Sequence, residues 1–434
     1  DLGLVGLVVW SGIGHHVLSR GGALERWAGD ADVSHMAKIG QPNGTPMTSP
    51  DILDLDFDAY LDRIRRLTDD ELIPGEAAMV ELGEVPPPLV DRLAECGLFG
   101  ITLPRHWGGL GWSMEQQVRL TFEFTRASPV YRSRFSTTIG LCSQILHDHG
   151  TDDQKERYLR DMAIGRCVAS FALTETGAGS DATAVTTTAV RDGDQYVING
   201  HKRFITNGAW ADLLVVFART GDAGFSAILV PADTPGVTAT LPSRMNGHEA
   251  GPVAELSFTD VHVPTTNLVG DEGAGLKLAL RGINHARTHV AATAVGCATR
   301  LLTEATAHAL TRHQFGQPIA QFGVIEAMLG RSRAELEAAR ALVLDCARAW
   351  DAGGIPWPRI AAAKLVATET GKEIADRAVQ ILGGEGIVGD HPVGRLWRDI
   401  RALSIYEGTT QIHERNLARH LLKTVGDGHP IFDS

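Results

Sequence analysis

The chain is short of positive charge: its 434 residues hold 40 Lys and Arg against 52 Asp and Glu, a formal net charge of -12. Nucleic-acid binding needs a basic surface, so the balance argues against such a partner. It argues in the same way against docking on an anionic membrane. No run reaches the roughly 18 apolar residues of a membrane-crossing helix. Cysteine is scarce as well. Cys96, Cys142, Cys167, Cys297 and Cys346 fall in no CxxC or Cys/His spacing, so no zinc site is suggested. An odd, sparse set reads as reduced thiols of a cytosolic, hence cytoplasmic, protein. Walker A, HExxH and GxSxG elements are missing, and with them the usual signatures of phosphotransferases, metalloproteases and hydrolases.

What is present is length enough for two or three packed units, since one compact core stops growing at about 250–300 residues. Residues 1–50 read as an extension outside the core fold. Leu2 to Gly14 is apolar but follows Asp1 without a basic leader, and Met36 and Met47 both precede plausible starts. A tag remnant, an upstream translation or a poorly ordered tail are the readings for this stretch. Residues 51–166 are helical in pattern, as in Asp56–Leu67 and Gln154–Ala163, with a glycine-rich loop at Pro104–Gly111. Residues 167–275 turn β-rich: Val168–Thr174, Gln195–Ile198, Leu213–Arg219, Ser226–Val230 and Val237–Leu241 are the expected strands. Asn199-Gly200 signals a hairpin and Asn207-Gly208 a second turn. Residues 276–425 return to helical period. Val290, Ala294, Cys297 and Leu301 share one face; Ile374, Ala378, Ile381 and Leu382 share another, ended by Gly383-Gly384. Residues 426–434 form a tail.

Two glycine motifs invite a dinucleotide reading. Gly384-Glu-Gly-Ile-Val-Gly389 fits G-x-G-x-x-G, yet it follows a helix and runs into His391-Pro392. Gly177-Ala-Gly-Ser-Asp-Ala182 fits G-x-G-x-x-A and follows a strand, but a Thr/Val run and another strand come next. A Rossmann fingerprint joins a strand to a helix whose N-terminus receives the pyrophosphate. Neither motif does, although phosphate or flavin contact by the second stays open.

The run Phe171-Ala-Leu-Thr-Glu-Thr-Gly-Ala-Gly-Ser-Asp181 resembles the first signature of the acyl-CoA dehydrogenase family. Gln380-Ile-Leu-Gly-Gly-Glu-Gly386, Arg398-Asp399 and Ile405-Tyr-Glu-Gly-Thr-Thr-Gln411 resemble the second. Arg312-His-Gln-Phe-Gly316 with Pro318-Ile319 is similar to a third element. The resemblance spans about residues 51–425, and several motifs in order are far more specific than one glycine loop. It implies an α+β multi-domain fold: an N-terminal helical domain, a middle β-barrel domain and a C-terminal four-helix bundle. It also implies FAD between the β domain and the bundle, completed by a neighbouring subunit of a homotetramer (or a dimer).

The implied reaction is α,β-dehydrogenation of an acyl-CoA thioester. A base takes the α-proton while a hydride leaves the β-carbon for the flavin. A carboxylate in a dry pocket has the raised pKa this needs, and donors must polarise the thioester carbonyl. Glu407 matches the family's base. Alone, a Glu before a Gly is an ordinary solvated turn. The family's second base location falls here on Ala286, which takes no proton. The Glu407 N–H, with a flavin ribityl hydroxyl, is the implied pair of enolate donors. Thr174 and Thr206 match flavin-ring partners and Phe171 and Phe204 would flank the ring; their bland reading is barrel core and strand. Leu173, Gly179, Ser180 and Ile205 belong to the same matching runs, with Ser180 also toward the CoA portion. Asn284, His285 and Arg287 match a CoA-contacting segment, and Tyr406 and Gly408 flank the base at the substrate. Arg312, Gln314 and Phe315 match residues reaching a neighbouring subunit's FAD. Gln380, Gly383 and Gly384 match the adjacent pyrophosphate and adenosine site, and Thr409 and Gln411 further FAD contacts.

Three departures mark a divergent branch: Thr176 where the family has proline, Phe204 for tryptophan, and Gly323 for a glutamine. The acceptor implied is an electron-transferring flavoprotein. Competing readings keep the fold but use a carrier-protein-bound acyl group or oxygen as acceptor, or make the chain a catalytically silent FAD-binding subunit. The presence of Glu407 ranks the last lowest.

Overall fold

The structure is a computed structural model and describes residues 48–431 apart from 222–223, 242–244 and 389–390. The expectation for residues 1–50 therefore lies almost wholly outside the described residues.

Among the described residues eight α-helices come first: α1 (Pro50–Leu53), α2 (Phe57–Leu67), α3 (Ile73–Leu82), α4 (Pro87–Glu95), α5 (Met114–Phe124), α6 (Pro129–Thr137), α7 (Ser143–His149) and α8 (Asp152–Ala163). Their starts follow from side-chain caps. Asp56 accepts from Ala59 N, and Ser113 and Thr151 form reciprocal boxes with Gln116 and Gln154. The apolar stripe of α2 (Tyr60, Leu61, Ile64, Leu67) is buried in a core shared with α4 and α5.

Eight strands follow: β1 (Ala169–Ala172), β2 (Thr188–Asp192), β3 (Gln195–Thr206), β4 (Leu213–Arg219), β5 (Phe225–Pro231), β6 (Val237–Thr240), β7 (Val253–Pro264) and β8 (Leu268–Val269). They form one sheet in the order β6-β7-β3-β2-β4-β5-β8, with β1 parallel to β4. β4 is buried on both faces. Leu213, Val215 and Phe217 face the helices α7 and α8, while Leu214, Val216 and Ala218 face the interior of the sheet.

Asn199-Gly200 is not the expected hairpin. β3 runs straight through it as a twelve-residue strand, with a register shift against β7 between Ile198 and Gly200. The hairpin lies at Gly193 instead, where β2 meets β3. Asn-Gly suits either a tight turn or a bulge. Here cross-strand bonds decide for the bulge: Asn199 Nδ2 donates to Asp260 Oδ1 at 3.1 Å, and Asp260 N donates to Asn199 Oδ1 at 2.9 Å. Gly200 has φ +150°, and a Cβ there would fall 2.7 Å from Thr187 Cα.

The last part is α9 (Gly275–Thr311), a small hairpin β9 (His313–Gln314) and β10 (Gln317–Pro318), α10 (Gly323–Asp351), α11 (Trp357–Leu382), α12 (Pro392–Leu403) and α13 (Thr410–Gly426). The two faces expected from spacing, at Val290–Leu301 and Ile374–Leu382, are buried together. The three parts are tied at Asp399. His248 N, from the β part, donates to Asp399 Oδ1 at 2.6 Å, and Ser128, which caps α6, lies against Oδ2. Ser128 N also donates to Glu76 Oε1 at 2.7 Å, and Glu76 pairs with Arg395. Buried charges paired and bonded in this way fix the relative position of the layers.

Replacing Gly200 by alanine is expected to destabilise the fold by about 2 kcal/mol or more. Asn199→Ala should cost less, since its bonds are exposed. Thermal unfolding of the two variants checks the order.

Candidate active site

Glu407 lies in the turn between α12 and α13 with φ +57°, and Gly408 follows with φ +97°. A non-glycine residue in the left-handed region is held there by its surroundings. Two cations do the holding. Arg287 Nε, from α9, donates to the Glu407 carbonyl at 2.8 Å, and Lys364 Nζ, from α11, donates to the Gly408 carbonyl at 2.7 Å. Arg287 Nη1 is fixed in turn by Asn284 Oδ1 at 2.8 Å. Gly408 is required twice over: for its φ, and because a Cβ would meet Arg287 Nη2 and His413 Nε2 at 3.2 Å each. Thr409 then caps α13 and Thr410 Oγ1 donates to Glu369 Oε1 at 2.6 Å.

Both turn carbonyls are thus taken, while the Glu407 N–H has no acceptor among the described residues. The carboxyl makes no ion pair there either. Burial pushes the Glu407 carboxyl up to about 7, against the opposing pull of Arg287, Lys364 and Arg132. Burial likewise pushes the Lys364 ammonium down to about 7, with Glu407 opposing. The His413 ring is pushed down to about 3, by burial first and then by Arg287 and Lys364, so it is neutral. The result is a carboxylate able to ionise near neutral pH beside an uncommitted backbone donor.

The sheet contributes the second wall. Thr174 and Thr206 are half-buried at the ends of β1 and β3, and Arg203 N donates to Thr174 O at 2.8 Å, which draws the two ends together. The Phe204 ring is 60% exposed, with φ +59°. Phe171 instead packs its half-buried ring on Phe217, centroids 4.8 Å apart, so its ring is largely committed to the core. Leu173 and Ile205 are buried, and Gly179 and Ser180 are exposed on the loop after β1. Beneath that loop Glu175 pairs with Lys202 at 2.7 Å and accepts from Thr186 and Thr187.

A separate group of expected residues lies elsewhere. Arg312, Gln314 and Phe315 are exposed on the β9–β10 hairpin, Phe315 to 95% with φ +50°. Gln380, Gly383 and Gly384 are exposed at the end of α11, where His308 of α9 meets Glu385 at 3.5 Å. Lys364 and Gln380 stand on one continuous helix, about 24 Å apart at 1.5 Å per residue. One chain therefore splits the expected cofactor residues between two ends.

Residues 56–166, 170–261 and 273–422 match the N-terminal, middle and C-terminal domains of acyl-CoA dehydrogenase. The chain belongs to the acyl-CoA dehydrogenase family. Over 363 residues it is 36% identical to the 3-(aryl)acrylate reductase of Clostridium sporogenes, covering 83% of this chain and 96% of that one. It is 37% identical over 347 residues to the caffeyl-CoA reductase–Etf complex subunit CarC of Acetobacterium woodii, covering 79% and 92%. Butyryl-CoA dehydrogenase from Megasphaera elsdenii superposes with a TM-score of 0.81 at 32% identity, covering 84% and 98%. The chain is an FAD-dependent oxidoreductase that carries out acyl-CoA dehydrogenation. FAD fits the residues present: an open Phe204 face, and glycines 383 and 384, where an added Cβ meets nothing within 4 Å.

Three residues escaped the sequence reading. Lys364 falls on the buried face of α11 with Ile360, Ala367 and Gly371, and a lysine at that phase of an apolar helix was a readable signal. Arg132 and His413 carried none, because their setting depends on contacts between distant segments.

Lys364→Met removes a nearby positive charge, so ionising Glu407 becomes harder. The pH midpoint for flavin reduction by substrate is expected to move up from about 7. Because Lys364 and Glu407 are coupled, the wild-type midpoint belongs to the pair. Stopped-flow reduction across pH 5.5–9 measures both.

Proposed function

We propose that the Glu407 carboxylate takes the α-proton of a saturated acyl-CoA as the β-hydrogen leaves as hydride, giving the trans-2-enoyl-CoA. The observation that carries this reading is the Glu407 turn, where one residue offers a desolvated carboxylate and an uncommitted N–H. The N–H is the donor for the thioester oxygen as enolate charge develops. The carboxylate accepts the proton, and its raised pKa matches neutral pH. Arg287 and Lys364 hold the turn, keeping the two groups in one orientation. FAD, when bound, supplies the two-electron acceptor.

Thr174, Thr206, Phe204 and Thr409 are the residues of this chain that would hold the flavin end, with Leu173, Ile205, Gly179 and Gln411 beside them. Ser180 and Asn284 face the CoA portion. Arg287, its Nε and Nη1 committed inside the site, acts chiefly as a clamp on the turn. Arg312, Gln314, Phe315, Gln380, Gly383 and Gly384 serve the FAD of a second copy. The exposure of all six, and the distance of Gln380 from Lys364 along α11, support a homotetramer, or at least a dimer. An electron-transferring flavoprotein reoxidises the enzyme, as the name of the Acetobacterium relative suggests. Five free, buried thiols agree with a cytoplasmic setting.

Glu407→Gln should keep its FAD and lose flavin reduction by about 1,000-fold or more in anaerobic mixing with acyl-CoA. Reduction at the wild-type rate would sink the assignment. Arg312→Ala is expected to lower the FAD content of the purified oligomer; unchanged occupancy, read from the ratio of flavin to protein absorbance, counts against the shared site.

A further inference from the structure

Between β1 and β2 the chain leaves the sheet. β1 pairs with β4 as far as Ala172 and Val216, and β2 takes up the same strand at Thr188 and Arg219. The excursion between them carries Thr174, Gly179 and Ser180. One carboxylate closes its two ends on each other. Glu175 Oε2 accepts from Thr186 N at 2.7 Å and from Thr186 Oγ1 at 2.6 Å, and Oε1 accepts from Thr187 N at 3.0 Å. Lys202 Nζ adds a fourth bond, to Oε1 at 2.7 Å, and also donates to Leu173 O at 3.1 Å and Phe217 O at 2.7 Å. The ammonium thus has an acceptor for each of its donors, and it joins β1 to β4 one residue beyond their ladder.

Lys202 acts on β3 as well. It faces Leu256 of β7, and Ile205 faces Ala254, so Arg203 and Phe204 share the one place opposite Glu255. At this bulge Phe204 takes its φ of +59° and its ring turns outward. The Arg203 N–H turns to the excursion instead, where it donates to Thr174 O. Lys202 therefore stands where the Thr174 side and the Phe204–Thr206 side of the wall meet. Its side chain and that of Glu175 are buried. A buried ion pair is weak evidence for stability, since an uncharged pair of similar shape often folds as well, but a fully bonded network fixes geometry. Unlike Asp399 and Glu76, this pair ties no layers together: its partners Leu173, Thr186, Thr187 and Phe217 all lie in the β part.

Resting on the reading of Thr174, Phe204 and Thr206 as the flavin wall, we propose that Lys202, with Glu175, is a positioning residue for FAD. It sets the spacing between the two sides of that wall and keeps the excursion closed beneath Gly179 and Ser180. Its effect reaches the cofactor through the backbone of residues 173–175 and 202–206, because every donor of the ammonium is already committed.

The test compares the full-length, FAD-loaded protein with Lys202→Met/Glu175→Gln, which removes both charges and keeps an acceptor for Thr186 and Thr187. The readouts are thermal unfolding, the visible spectrum of the bound flavin, and FAD released on dilution, followed by the fluorescence of free flavin. The double variant is expected to melt within about 3 °C of wild type, yet to release FAD about 10-fold more readily and to show a shifted flavin band. Wild-type retention and spectrum in the double variant overturn the inference. So does a variant that melts far below wild type while the FAD it holds keeps the wild-type spectrum, because the pair then serves the fold alone. If the double variant yields no folded protein, Glu175→Gln decides: weaker retention at a wild-type melting temperature supports the inference, and wild-type retention and spectrum overturn it. Phe204→Ala, at an exposed ring, tests the underlying reading separately. If it leaves retention and spectrum unchanged, the assignment of the flavin wall fails and takes this inference with it.

Discussion

Two side-chain nitrogens, Arg287 Nε and Lys364 Nζ, hold the carbonyls of consecutive residues, Glu407 and Gly408, and the rest of the site is arranged around that grip. It turns the Glu407 backbone into a conformation that a glutamate does not choose. It leaves the N–H of the same residue free to meet a ligand. It also sets two positive charges near a carboxyl that burial would otherwise drive higher still. The cations come from α9 and α11, whose packing forms much of the largest buried cluster among the described residues. The stability of the bundle and the alignment of the base are therefore one property.

Backbone strain gathers at the same places. Phe204, Phe315 and Glu407 are among the six non-glycine residues with positive φ in the described residues. Two of them present exposed rings, and the third carries the proposed base. Such conformations persist only where surrounding bonds over-determine them, and they mark sites where ligands are met. The other strained residues have structural partners: Asn207 donates to Ser133 O at 2.9 Å, His248 is bound to Asp399, and Asp260 is bound to Asn199. The difference separates strain that serves packing from strain that faces outward.

Much of this was legible in the residues. The helix–strand–helix order followed from period alone, and the buried faces of α9 and α11 were read from four-residue spacing. Asn199-Gly200 misled because the dipeptide reports a backbone need, not a chain reversal, and β7 supplies the bonds that make it a bulge. Phe171 matched a motif, and its half-buried ring also packs on Phe217. Glu407 was found through resemblance, since a Glu-Gly pair says nothing by itself about desolvation. Arg132 was out of reach: on α6 it is one of two arginines, and only the approach of α5 and α9 makes it the one charged side chain lining a pocket.

Exchange of the substrate's α-hydrogen tests the base most directly. An acyl-CoA would be incubated in D2O with enzyme whose flavin is already reduced, so that oxidation is blocked, and deuterium at the α-carbon followed by mass spectrometry. Exchange that rises as pH passes through about 7 and disappears in Glu407→Gln is the predicted result. Exchange that continues unchanged in Glu407→Gln would show that another group takes the proton, and that the turn clamped by Arg287 and Lys364 does not hold the base.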